Sequence, residues 1–196
     1  MIYSLRGLLV HTEPNLAVVE CGGVGYGCRT TITTLKDLKL GTEVTLYTYM
    51  AVREDAVELF GFSTLQELNT YKLLININGV GPKAGISILS VLSPEQVAIA
   101  VSSGDYKTIT QANGVGPKMA QRIVLELKDK FKSIEMDMDT SDENTPMVAT
   151  GNIPSAVQAL SVLGFSASDV TPILSKLDKN LTVEQMITAT LKRLGK

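Results

Sequence analysis

Two short stretches of the 196-residue chain carry the residue types of an anion-binding site. The sequence Asn-Gly-Val-Gly-Pro-Lys stands at residues 78–83 and returns unchanged at 113–118. Glycine permits positive φ and a close backbone approach, and proline favours the first turn of a helix. The first amides of a helix have no partner inside it, and they point outward with the positive end of the helix dipole. Each copy can therefore accept a phosphate, and Lys83 and Lys118 add a positive charge just beyond the turn.

Spacing excludes one common use of a glycine-rich loop and leaves another open. The phosphate loop of nucleoside triphosphatases has a second glycine five residues after the first, where this chain has Ala84 and Met119. We therefore do not expect the chain to hydrolyse ATP by itself. Alternatively, Gly-Val-Gly-Pro only closes a tight helical hairpin, and both lysines are solvated. Two identical copies that both keep the lysine favour binding, because packing needs the glycines and the valine but not the charge.

Each copy of the repeat lies between apolar stretches with helical spacing, which predicts a helix, a hairpin and a helix, twice over. Capping signals mark two helix starts: Ser63 stands three residues before Gln66, and Ser93 stands three residues before Gln96. Pro94 adds a proline at the first helical position. The predicted helical stretches that flank the hairpins are 71–77, 84–92, 106–112 and 119–127.

The first 62 residues predict a small β-barrel, because short segments rich in β-branched and aromatic residues alternate with glycine-containing or charged turns. The predicted strands are 1–10, 16–21, 24–31, 43–52 and 56–62. The glycines of residues 22–27 do not fit a dinucleotide-binding fingerprint, since Cys28 takes the place of the last glycine and no helix pattern follows. They predict a hairpin and a sharply coiled strand instead.

Composition changes again after the second hairpin unit. A segment that combines acidic residues, Ser, Thr and Pro without an aromatic side chain predicts a flexible linker. Three amphipathic segments follow, near 153–163, 167–177 and 183–194, with Thr182 and Gln185 as a capping pair. The sequence therefore predicts a barrel at 1–62, a helical domain at 63–132, a linker at 133–152 and a three-helix domain at 153–196.

Composition also excludes several classes of protein. No run approaches the roughly 20 apolar residues of a membrane helix, and the first residues lack a signal-peptide layout, so we expect a cytoplasmic protein without membrane contact. His11 is the only histidine, and Cys21 and Cys28 lack the spacing of a metal site. We expect no metal, no cofactor and two reduced cysteines.

The repeated segment matches the helix-hairpin-helix motif of DNA-binding proteins. Ala120 stands four residues after Gly116 in the second copy, as that motif has it, whereas the first copy has Gly85 at the equivalent position. The chain opens with Met-Ile-Tyr-Ser-Leu-Arg-Gly and carries Arg-Glu-Asp-Ala and Leu-Phe-Gly-Phe within residues 53–62. With these features and its three-part layout, it resembles the RuvA family of bacterial Holliday junction-binding proteins over essentially its whole length.

That resemblance implies an α+β multi-domain protein with an OB-like barrel, a tandem helix-hairpin-helix domain and a mobile, UBA-like three-helix domain. It implies a non-catalytic subunit that binds four-way DNA junctions by shape rather than sequence and acts as a homotetramer or octamer. A hexameric ATPase of the RuvB type would dock on the C-terminal domain and drive branch migration in recombination, DNA repair and the SOS response. A RuvC-type junction resolvase would join the same complex.

The resemblance also assigns site residues. The contacts to DNA phosphates would come from both hairpins, namely Gly79, Gly81, Lys83, Gly114, Gly116, Lys118 and Arg122. Glu54 and Asp55 by themselves indicate a solvated acidic turn. The resemblance makes them an acidic pin at the strand crossover, one per subunit, where paired carboxylates repel backbone phosphates and favour separated strands.

Two other classes of function stay open at this point. Helix-hairpin-helix units also occur in DNA glycosylases and nucleases, although no cluster of His, Cys or carboxylate accompanies the hairpins in this sequence. A protein adaptor would use the last three helices and bind DNA only weakly. Incubation with junction DNA and magnesium tests for the enzyme, and filter binding to duplex and four-way DNA tests for the adaptor.

Overall fold

The computed structural model describes residues 1–138, 152–162, 164–178 and 181–194. The N-terminal part contains strands at all five predicted positions and one helix that the sequence pattern does not predict. The strands are β1 (Ser4–Glu13), β2 (Leu16–Cys21), β3 (Val24–Arg29), β4 (Glu43–Val52) and β5 (Val57–Phe62), and α1 (Ile32–Asp37) lies between β3 and β4. The predicted glycine hairpin is confirmed, because Gly22 and Gly23 form the turn between β2 and β3.

The strands close into a barrel in the order β1-β2-β3-β5-β4. The pairs are antiparallel except for β3 and β5, which run parallel and complete the closure. Strand β1 pairs with both β2 and β4, and a shift of register between Leu9 and His11 lets it bend from one neighbour to the other. A closed five-stranded barrel with a helix after the third strand is an OB-like fold, as predicted.

The barrel core is aliphatic, with Leu9, Val19 and Leu46 fully buried. Both cysteines are free thiols. Cys28 is buried in this core, and burial raises the pKa of its thiol to about 12. Cys28 is therefore protonated at neutral pH and packs as a small apolar side chain.

Helix α1 is a correction to the predicted barrel. Its β-branched residues Ile32, Thr33 and Thr34 favour a strand, which explains why the sequence pattern conceals it. Thr31 caps the helix by accepting a hydrogen bond from the Thr34 amide at 3.0 Å. Tertiary contacts then hold it, since the Thr33 hydroxyl donates to the Leu89 carbonyl at 3.0 Å.

The helical domain contains α2 (Leu65–Ile75), α3 (Pro82–Val91), α4 (Pro94–Ser103), α5 (Tyr106–Ile109) and α6 (Pro117–Met138). The capping box of α4 is confirmed, with the Gln96 amide 3.3 Å from the Ser93 hydroxyl and the Ser93 amide 2.9 Å from the Gln96 side chain. The predicted cap of α2 is wrong by one residue. Thr64 accepts from the Glu67 amide, because the Ser63 hydroxyl is already bound to Asp37.

Helix α6 differs in length from the predicted stretch. It continues to Met138 and so enters the segment predicted as a linker, because Leu, Lys, Glu and Met in residues 127–138 are good helix formers. Residues 139–151 of that predicted linker lie outside the described residues. The helix predicted at 106–112 is shorter in the structure. Only the four residues of α5 are helical before the chain turns.

The C-terminal part contains α7 (Asn152–Val162), α8 (Ala167–Leu174) and α9 (Val183–Leu194). The predicted capping pair is confirmed, with the Thr182 amide 3.0 Å from the Gln185 side chain. Helix α9 packs against α4 of the helical domain, where the hydroxyls of Ser102 and Thr188 lie 3.2 Å apart. An ion pair of 2.9 Å joins Lys128 of α6 to Glu184 of α9.

An aromatic cluster joins the barrel to the helical domain. The ring of Tyr71 on α2 is fully buried, and its centroid lies 4.8 Å from Phe62, 5.4 Å from Phe60 and 5.7 Å from Tyr49. On its other side Tyr71 faces Gly85 of α3, where an added Cβ would lie 2.9 Å from the ring. The alanine of the helix-hairpin-helix pattern is therefore replaced by Gly85 because the Tyr71 ring occupies its space.

A buried carboxylate forms a second link between the same domains. Glu67 of α2 is 3% exposed, and its two carboxylate oxygens accept hydrogen bonds of 2.5 Å from the hydroxyls of Thr31 and Thr34 at the start of α1. Burial raises the pKa of Glu67, and the two hydroxyl contacts partly offset that rise. Glu67 thus acts together with the contact between Thr33 and Leu89 to hold α1 on the helical domain.

Among the described residues, no single helix has the length and apolar composition of a membrane span. Helices α3 and α4 together meet both criteria, but they are bent by 97° at their junction.

Replacing Glu67 with Gln removes the titrating group and one of the hydroxyl contacts. Because the pKa of Glu67 is raised in the folded protein, the unfolded chain, with a glutamate pKa of about 4.3, releases its proton first. The contribution of Glu67 to the free energy of unfolding is therefore lost as pH rises through the folded pKa. Glu67→Gln should be about 1 kcal/mol less stable than wild type at pH 4, and this difference should shrink towards pH 8.

Denaturant unfolding at several pH values measures that difference. Glu20→Gln, at an exposed position of β2, should stay within about 0.5 kcal/mol of wild type throughout. A deficit for Glu67→Gln that grew with pH would contradict the titration assigned to Glu67.

Candidate nucleic-acid interface

The two repeats fold into equivalent hairpins between α2 and α3 and between α5 and α6. In the first hairpin the Val80 amide donates to the Ile77 carbonyl at 3.0 Å, and in the second the Val115 amide donates to the Ala112 carbonyl at 3.1 Å. The valines are 4% and 5% exposed, so each anchors its loop in the core. The predicted pair of helix-hairpin-helix units is confirmed.

The four glycines of the hairpins fall into two classes. Gly79 and Gly114 have φ of 86° and 78°, a conformation that other residues adopt only at a cost, so the turn itself requires them. Gly81 has φ of −84° and ψ of 170°, which any residue adopts, and Gly116 likewise lacks a positive φ. An added Cβ at either Gly81 or Gly116 would meet no atom within 4 Å.

Neither a positive φ nor a close contact therefore requires glycine at position 81 or 116. Both are exposed, and each directly precedes the proline that begins the next helix. Gly81 is the N-cap of α3 and makes no side-chain capping bond, so the first amides of that helix are left for an external acceptor. A glycine here keeps the backbone open to a group that approaches from solvent.

Cationic side chains stand beside these open amides. Lys83 and Lys118 are exposed in the first turns of α3 and α6, as the sequence predicts. Arg122 lies one turn further along α6, and its guanidinium donates to the Asn78 carbonyl of the first hairpin at 3.0 Å. The structure thus places Arg122 between the two hairpins, where it contacts the first as well as belonging to the second.

Hairpins and barrel border one cleft of about 850 Å³. Lys83 and Asn113 line it from the hairpin side, and Arg29 and Arg53 line it from the barrel side. Arg29 lies 3.7 Å from Glu58, which balances part of its charge. The concave surface therefore carries cations from both domains.

Glu54 and Asp55 form the tip of the β4–β5 hairpin, and both are exposed. The Arg53 amide donates to the Ala56 carbonyl at 2.8 Å and closes the turn. Arg53 lines the cleft, whereas neither of the two carboxylates that follow it in the chain belongs to the lining.

Together the open amides, the lysines and the guanidinium can bind phosphate oxygens. Within the ranges that the structure describes, no group of three His, Cys, Asp or Glu residues is placed to hold a metal ion. The sequence did not predict Arg29, which lines the cleft, or Ser87, whose hydroxyl donates to the Asn113 carbonyl at 2.8 Å. It also did not predict that the Asn78 carbonyl accepts a hydrogen bond from Arg122. The equivalence of positions 87 and 122 under the 35-residue shift was the available signal, but their partners across the domain follow only from the fold.

An OB-like barrel joined to two helix-hairpin-helix units is the architecture of a nucleic-acid-binding protein of the tandem helix-hairpin-helix class. Family models for the RuvA N terminal domain, the SAM-like helix-hairpin-helix tandem and the RuvA C-terminal domain match residues 1–61, 71–129 and 152–195. A protein of Acetivibrio thermocellus described as Holliday junction branch migration complex subunit RuvA is 40% identical to this chain, and the match covers 100% of both chains. A protein of Corynebacterium efficiens with the same description is 39% identical, and the match covers 100% of this chain and 99% of that protein. The chain belongs to the RuvA family.

The two classes of glycine can be separated by their effect on stability. Gly114→Ala places a side chain at positive φ and should lower the free energy of unfolding by about 1 kcal/mol or more. Gly116→Ala, two residues away, should stay within about 0.5 kcal/mol of wild type, since its Cβ enters open space. Denaturant unfolding of both variants measures the free energy that each substitution loses. An equal loss for both would show that the fold requires glycine at position 116 as well.

Proposed function

We propose that this chain binds four-way Holliday junctions through the phosphates of their duplex arms and does so without reading base sequence. The observation that carries the proposal is the pair Gly81 and Gly116, two exposed glycines that neither a positive φ nor a close contact requires, each followed by a proline and a lysine. The proposed phosphate contacts are the amides and cations of both hairpins, namely Gly79, Gly81, Lys83, Gly114, Gly116, Lys118 and Arg122.

Sequence-independent binding follows from the chemistry of these groups. Amides and ammonium groups that bind phosphate oxygens fix the protein on the duplex but carry no base information. Discrimination between a junction and plain duplex must then come from shape, that is, from how several copies hold four arms at once. A homotetramer matches four arms with one copy each, and an octamer made of two tetramers matches them with two copies each.

Glu54 and Asp55 supply the repulsive element of this proposal. These two exposed carboxylates directly follow the cleft residue Arg53 in the chain and repel phosphates, so a duplex that runs straight across the crossover is penalised. With one acidic turn from each copy near the crossover, separated strands are favoured over a continuous duplex. The pair acts by charge, without a catalytic or metal-binding role.

The description of the relatives as branch migration complex subunits supports a place beside a motor. In this proposal the chain is the non-catalytic subunit, and a hexameric ATPase of the RuvB type supplies the motion in recombination and DNA repair. Residues 1–62 and 63–132 bind the junction, and residues 153–196 dock the motor. A RuvC-type resolvase acts on the same junction.

Lys118→Ala tests the hairpin contacts. The variant should weaken binding to four-way junctions of any base sequence, and log Kobs against log salt should become shallower by about 0.9 for each phosphate that the protein no longer neutralises. Lys176→Ala removes the same charge from an exposed position of the C-terminal part and serves as the control. Filter binding at several salt concentrations gives both slopes. A slope for Lys118→Ala equal to that of wild type would show that Lys118 contacts no phosphate.

Glu54→Lys combined with Asp55→Lys tests the acidic turn. The double variant should gain affinity for plain duplex more than for the four-way junction, because the turn now attracts the phosphates it formerly repelled. The gain should shrink with added salt, as the screening length falls to about 8 Å at physiological ionic strength. The ratio of junction to duplex affinity at two salt concentrations is the measurement, with a thermal melt to check folding. A ratio unchanged from wild type would leave the pair as an ordinary hairpin turn.

A further inference from the structure

The two hairpins contact each other through side chains at equivalent positions of the repeat. Arg122 of α6 donates to the Asn78 carbonyl of the first hairpin at 3.0 Å, and Ser87 of α3 donates to the Asn113 carbonyl of the second at 2.8 Å. The 35-residue shift that relates the two repeats converts Ser87 into Arg122 and Asn78 into Asn113. Each second helix therefore reaches across to the loop of the other unit in the same way.

The two loops differ in how closely these side chains approach them. An added Cβ at Gly79 would lie 3.3 Å from the Arg122 guanidinium, whereas one at Gly114 would meet no atom within 4 Å. The longer arginine therefore passes against the first loop, and the short serine leaves the second loop clear. Both accepting carbonyls belong to exposed residues directly before the positive-φ glycine, so each contact holds the part of the loop that precedes the open amides.

We propose that Ser87 and Arg122 form a reciprocal brace that fixes the spacing and orientation of the two hairpins, so that both bind one duplex together. This inference rests on the proposed function and assigns Ser87 as a positioning residue, which acts through the second hairpin. Hairpins held in their binding arrangement lose less conformational freedom when DNA binds. Once one hairpin is bound, the other meets its phosphates at a high effective concentration.

The brace also determines which form of DNA is bound well. Phosphates of a duplex have a regular spacing, and two hairpins at fixed separation can match it simultaneously. A single strand is flexible and can adapt its own backbone to each hairpin in turn, so it gains little from the fixed separation. Loss of the brace should therefore reduce affinity for duplex arms and leave affinity for single strands nearly unchanged.

Ser87→Ala in the full-length chain tests this inference without a change of charge. We expect a loss of affinity for four-way and duplex DNA of roughly three-fold or more, as for one neutral hydrogen bond, together with an unchanged salt slope and unchanged single-strand binding. Ser87→Thr keeps the hydroxyl and should restore duplex binding. Ser103→Ala is the matched control, because among the described residues that hydroxyl bonds only carbonyls of its own helix.

The outcomes separate the brace from the proposed function. If Lys118→Ala weakens junction binding while Ser87→Ala does not, the brace is overturned and the hairpin contacts stand. If Ser87→Ala weakens single-strand and duplex binding equally, Ser87 has a general structural role and the brace is likewise overturned. If neither Lys118→Ala nor Gly116→Ala affects binding to either form of DNA, the proposed function fails and the role of Ser87 fails with it.

Discussion

Burial of the Tyr71 ring sets the position of the barrel relative to the first hairpin. The ring lies on α2 between Phe60 and Phe62 of the barrel and Gly85 of α3, so neither side can shift without opening a void or a clash. Among the described residues its hydroxyl has no hydrogen-bond partner, and burial raises the pKa of the phenol, which keeps it neutral. The aromatic contacts thus outweigh the cost of an unsatisfied buried hydroxyl. The buried Glu67 reinforces the same junction through α1.

This junction between the barrel and the helical domain brings together features that are separate in the sequence. It holds Arg29 and Arg53 of the barrel on the same concave surface as Gly81 and Lys83 of the first hairpin. The valine and the first glycine of each loop serve the fold, since the valine is buried and that glycine has positive φ, whereas the second glycine and the lysine are exposed. A hairpin of this kind can vary in its binding groups without losing its fold.

Much of this organisation could be predicted from the sequence because it depends on local chemistry. The repeat, its glycines and its prolines specify hairpins, and the period of the apolar residues specifies strands or helices. Helix α1 and the cap of α2 are mispredicted because tertiary contacts decide the local outcome, whereas the extension of α6 follows from residues that favour a helix by themselves. Helix α1 forms from strand-favouring residues because Thr33 and Glu67 hold it in place. Similarly, no local pattern could reveal the contact of Arg122 with a carbonyl 44 positions away.

The closed barrel restricts how the chain can meet other proteins. Strand β1 pairs with β2 and β4, and β3 joins β5 at Cys28 and Arg29, so the unpaired strand edges of the barrel are short. Association by adding a strand, a common route of aggregation in β-proteins, is therefore disfavoured for this domain. Apolar side chains of the outer face remain accessible instead, among them Leu8, Val10 and Val24, which are 45%, 40% and 52% exposed. Single substitutions there change the surface offered to another chain while they leave every backbone ladder intact.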